Sequence, residues 1–99
     1  MFKILMSWNI RPGREEEYFE FYVKEFGPGL MKLGVRPTDA WYTQYGERPQ
    51  ILTGGIVEDL EGLQHALASD EWRELKEKLL THVTDYSQKI IRASGGFQL

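Results

Sequence analysis

Apolar residues fall on every second position at the start of the chain. Phe2, Ile4, Met6, Trp8 and Ile10 alternate with Lys3, Leu5, Ser7, Asn9 and Arg11, a period-2 pattern that predicts a strand with one strongly apolar face. Arg11-Pro12-Gly13 ends it. From Arg14 to Phe26 the period becomes helical. Phe19, Tyr22, Val23 and Phe26 share one predicted face, and Glu15, Glu16 and Glu17 fill the first turn, where carboxylates meet the positive end of the helix dipole. Gly27-Pro28-Gly29 is expected to break or kink this helix, with Leu30, Met31 and Leu33 forming one more turn that Gly34 closes. Thr38 to Tyr45 reads as a second strand, and Gly46-Glu47-Arg48-Pro49 as a hairpin link to a third, Gln50 to Val57. Gly54-Gly55 inside that strand marks a bulge or a close approach by another backbone or a ligand. Asp59 is placed to cap a short helix with Leu60, Leu63 and Leu67 inward, and Ser69 a longer one with the stripe Trp72, Leu75, Leu79 and Val83. Gln88 to Leu99 is expected as the last strand, with Gly95-Gly96 as the place for a bulge.

The order is β-α-β-β-α-β. It predicts an α+β, ferredoxin-like domain over residues 1–99: a four-stranded antiparallel sheet with both helical segments on one face. The second strand nevertheless carries large aromatics on both faces, Trp41 and Tyr45 against Tyr42, and the first adds Leu5 to its mixed face. Two apolar sheet faces need two covers. A second copy of the same sheet is the simplest cover, so a homodimeric α/β barrel is expected.

Composition narrows the function classes. With 99 residues, 41% hydrophobic and 27% charged, the chain suits one globular domain. A domain this small buries only roughly 60–65% of its unfolded surface, which also favours a partner subunit. The absence of cysteine removes disulfides, thiolate nucleophiles and thiolate metal sites. A net charge of −3 without a basic block gives no support to nucleic-acid binding, and the third strand lacks the aromatics of an RNA-recognition sheet. No apolar run suits a signal peptide or a membrane span. A cytoplasmic protein with no membrane contact is therefore expected.

Candidate chemistry is sparse. His65 stands four residues after Glu61, a helical pair suited to acid–base work but equally to a surface contact. His82 lies at the edge of the Trp72–Leu79 stripe, with Asp85 and Tyr86 following at helical spacing, and is a candidate proton shuttle. Asn9 and Arg11 share a strand face and are candidates to hold a carboxylate or an enolate oxygen. Trp8, Tyr18, Tyr22, Trp41 and Tyr42 are candidate walls for a flat apolar ligand, with core packing as the competing role. No pattern of metal ligands, nucleophile elbow or phosphate loop is present, so no metal is expected.

Trp8-Asn9-Ile10-Arg11-Pro12-Gly13 leaving the first strand, Leu67-Ala68-Ser69-Asp70-Glu71-Trp72 entering the long helix, and the element order over nearly the whole chain resemble the dimeric α/β-barrel superfamily. That group includes the NIPSNAP family and the antibiotic-biosynthesis-monooxygenase-like proteins. The resemblance implies a homodimer and a pocket between sheet and helices, but no single reaction. Haem-degrading members use an Asn, a Trp and a His. With Ser69-Asp70 matched, the family Trp falls on Ala66 and the His on Lys76, so no cofactor is expected. Two functions follow as expectations: a protein that binds a small apolar or aromatic metabolite, as a cofactor-independent monooxygenase or isomerase, or a non-enzymatic dimeric interaction module.

Overall fold

The computed structural model describes residues 1–42 and 50–92. Its elements are β1 (Phe2–Ile10), α1 (Glu15–Phe21), a π-helical turn (Tyr22–Phe26), α2 (Gly27–Lys32), β2 (Arg36–Tyr42), β3 (Ile51–Val57), α3 (Leu60–Leu67), α4 (Asp70–Leu80) and β4 (Val83–Arg92). The strands form one open antiparallel sheet in the order β2-β3-β1-β4. This is the predicted α+β, ferredoxin-like arrangement. No helix among the described residues is long and apolar enough to cross a membrane.

The central strand behaves as its alternation requires. Ile4, Met6, Trp8 and Ile10 are buried under the helices, while Leu5, Ser7 and Asn9 are half-buried on the other face. Tyr18, Phe26, Leu30, Leu63, Trp72 and Leu79 close the core from the helical side. Both predicted caps are in place. Asp59 accepts from the Gly62 amide and Ser69 from the Trp72 amide, each satisfying an amide with no partner inside its helix.

Several expectations are corrected. Gly27-Pro28-Gly29 does not break the helical path, because the π-turn precedes it. The Gly27 amide bonds back to the Tyr22 carbonyl, and Pro28 falls in the first turn of α2, where a missing N–H costs little. Gly29 faces α4: a Cβ there would stand 2.8 Å from Leu75 Cδ2, so the Leu75 side chain would have to shift. The wide turn also shifts the buried face. Tyr18, Phe21 and Phe26 point inward, whereas Phe19 and Val23 are exposed.

β2 begins at Arg36, two residues before the expected start. The expected end of that strand beyond Tyr42 and the Gly46–Pro49 hairpin lie outside the described residues. Gly55 marks a close approach: an added Cβ would meet Val35 Cγ1 at 2.5 Å and the Arg36 carbonyl oxygen at 3.3 Å. The register shift lies across from the glycine pair, between Pro37 and Asp39 of β2.

The last strand starts at Val83, not Gln88. Val83 pairs with Ile10, and the Arg11 amide bonds to the His82 carbonyl, which draws the chain out of the helix and into the ladder. β4 carries its bulge near its beginning, where Asp85 has φ +57° opposite Trp8. The glycine pair Gly95-Gly96 lies outside the described residues.

Candidate functional site

Trp8, Tyr18, Tyr22 and Tyr42 lie together on the helical side of the sheet, between α1 and β2, whereas the Trp41 side chain stands on the other sheet face, 64% exposed and across from Leu52. Trp8 is fully buried, and its Nε1–H donates to the Tyr18 hydroxyl at 3.0 Å. Tyr86 stacks on the indole at 5.9 Å between centroids and 8° between planes, and Phe26 meets it edge-on at 5.7 Å. Burial pushes the Tyr18 phenol well above its ordinary pKa, partly offset by the Trp8 hydrogen bond, so the ring stays neutral. The Tyr22 hydroxyl pairs with that of buried Thr53 on β3 at 3.1 Å. Phe19 packs edge-to-face on Tyr18 at 5.0 Å and on Tyr42 at 6.0 Å.

Between these rings lies an apolar cleft of about 100 Å³, lined by Tyr18, Phe19, Tyr22, Ala40, Trp41, Tyr42 and Ile51. None of these described lining residues carries a formal charge. Tyr18, Tyr22 and Tyr42 thus share one wall system, with Trp8 behind Tyr18, while Trp41 borders the cleft from β2 with its side chain on the opposite sheet face. Phe19, Ala40 and Ile51 were not anticipated. Alternation places Ala40 on the Tyr42 face, and a small side chain beside large rings is the signal that could have revealed the space.

The four candidate catalytic residues lie elsewhere. His82 is not on α4 but in the turn after it, so Asp85 and Tyr86 belong to β4 and not to a shared helical face. Its ring packs on Phe21 at 5.1 Å, and its buried Nδ1 has no hydrogen-bond partner among the described residues. It borders a separate open cleft of about 420 Å³ with Glu16, Glu17, Glu20, Lys24 and Glu25. His65 is exposed on α3 beside a shallow cleft that also touches Glu61, Asp59 and Lys32.

Asn9 ties strands together. Its Oδ1 accepts from the Gln50 amide at 2.9 Å, and its Nδ2 donates to Asp85 Oδ2 at 3.1 Å. Arg11 is exposed and donates to the Leu80 carbonyl at 3.2 Å, at the negative end of α4. No group of three His, Asp or Glu side chains placed to hold a metal ion occurs among the described residues.

With this geometry in place, solved structures give the likeness. A NIPSNAP domain protein from Burkholderia xenovorans matches at TM-score 0.70 and 14% identity, over 99% of each chain. The fold is that of the NIPSNAP-domain proteins. A NIPSNAP family protein from Agrobacterium tumefaciens matches at TM-score 0.73 and 16% identity, over 95% of this chain and 93% of its own. An antibiotic biosynthesis monooxygenase-like protein from Nitrosomonas europaea matches at TM-score 0.68 and 7% identity, over 94% and 98%. No protein-family model and no curated protein matches the chain. The NIPSNAP and monooxygenase likeness inferred from element order therefore agrees with the solved folds.

Proposed function

We propose that the protein binds a small apolar or aromatic metabolite in the cleft between α1 and β2, and does so as a dimer whose open sheet faces pack together. The observation that carries this is the gathering of the Tyr18, Phe19, Tyr22 and Tyr42 rings around one uncharged hollow. A monooxygenase-like structural neighbour is compatible with chemistry on such a ligand. A catalytic role would need a base, His82 or His65, and an oxyanion contact, Asn9 or Arg11. None of these four lines the cleft among the described residues. Binding is therefore favoured over catalysis, and no cofactor is invoked.

Native mass spectrometry of freshly purified protein tests this. A dimer carrying a small organic adduct is expected, and Ala40→Phe, which places a ring inside the cleft, is expected to lose the adduct. An adduct retained in full by Ala40→Phe would move the ligand elsewhere. A bare dimer that takes up no aromatic compound on titration would favour the interaction module.

A further inference from the structure

We infer that the cleft accepts one neutral six-membered ring and discriminates against carboxylates and fused two-ring compounds, an inference that rests on the cleft being the binding site. Three observations support it. The first is size. About 100 Å³ falls short of the roughly 300–1,000 Å³ of pockets for larger ligands. It is nearer the apolar cavity of about 150 Å³ known to take up a single benzene.

The second is charge. The seven described residues that line the hollow are all uncharged. A carboxylate entering here would give up hydration and find no cation on the described walls.

The third is the order of the walls. Tyr18, Phe19 and Tyr42 already meet edge-to-face, at 68° and 89°. A guest ring of the same size extends that arrangement. A fused second ring would project from the cleft toward solvent and could be enclosed only if these contacts part. Phe19 also packs on Tyr18, which holds the indole hydrogen bond of the core, so parting them disturbs the core.

The test is a titration of the wild-type protein at pH 7 with p-cresol, benzoate and 2-naphthol, reading the methyl resonances of Ala40 and Ile51 by NMR. p-Cresol is expected to shift both methyls saturably, with benzoate and 2-naphthol at least tenfold weaker. Ala40→Phe is expected to abolish the Ile51 shift, with the Leu79 methyls in the core serving as the check on folding. Benzoate or 2-naphthol binding within tenfold of p-cresol, or more tightly, overturns the inference while leaving the cleft as a site. If none of the three probes moves either methyl, both the inference and the assignment of the cleft fail.

Discussion

Tyr18 and Tyr86 flank the Trp8 indole, one accepting its Nε1–H and the other stacked on its face. Burial raises the pKa of both phenols above the ordinary tyrosine value of about 10. Above that pH the unfolded chain loses these protons while the folded protein keeps them. The unfolded state then binds fewer protons, so stability falls as pH rises from about 10 toward the raised folded values. Tyr86→Phe removes one titrating group and only an exposed hydrogen bond to Gln88. Urea midpoints at pH 9 and pH 11 should therefore differ less in this variant than in the wild type, and an equal drop would refute the linkage. Tyr18→Phe is a different perturbation, because it strands the buried indole N–H at a cost of about 1–3 kcal/mol. The sequence named Trp8, Tyr18 and Tyr22 as neighbours of one site. It did not show which hydroxyl the indole reaches, because spacing assigns a residue to a face and not to a partner across the core.

At the scale of elements, β1 was legible because it is central and one of its faces is uniformly apolar. The start of β4 was not, for a specific reason. Leu79 and Val83 are four apart, so the apolar period of α4 runs on into a strand without a change of pattern. The π-turn was hidden in the same way: Phe19, Tyr22, Val23 and Phe26 fit an α-helical face, and only the wider turn brings Tyr18 and Phe21 inward in place of Phe19 and Val23. The glycine pair of β3 was readable as a close approach, though not what approached. Val35 fills the space a Gly55 side chain would need. Gly55→Ala is expected to cost about 1–3 kcal/mol through overpacking, and Val35→Ala to relieve part of that cost. A double-mutant cycle on urea midpoints should show the pair less damaging than the two singles added together. Additivity within about 0.5 kcal/mol would mean the two sites are not in conflict.

The whole molecule is a slab of 39 × 33 × 19 Å, with helices on one broad side of the sheet. The opposite side is uncovered among the described residues and carries several apolar side chains, with Lys3 and Lys89 among them along β1 and β4. Trp41 is 64% exposed, Leu52 44% and Ile91 39%, with Leu5 and Ile56 half-buried beside them. Trp41 and Leu52 are cross-strand partners, Leu52 is next to Gly54 on that face, and Gly54 pairs with Leu5. Trp41, Leu52 and Leu5 therefore form one patch and not scattered exposures, and contiguous apolar patches mark interaction surfaces. The broad side is large enough to supply the roughly 800 Å² per partner of a standard interface, and a two-fold pairing of identical faces closes the assembly at two copies. Leu52→Lys puts a charge into that patch, where its twin in the partner would lie on the same surface. Sedimentation velocity should find the wild type dimeric and Leu52→Lys monomeric. Val23→Lys, at a position 71% exposed on the helical side, should remain dimeric and so controls for added charge alone. A monomeric wild type, or a Leu52→Lys protein that dimerises as well as the wild type, would leave this face without a second copy of the chain as its cover.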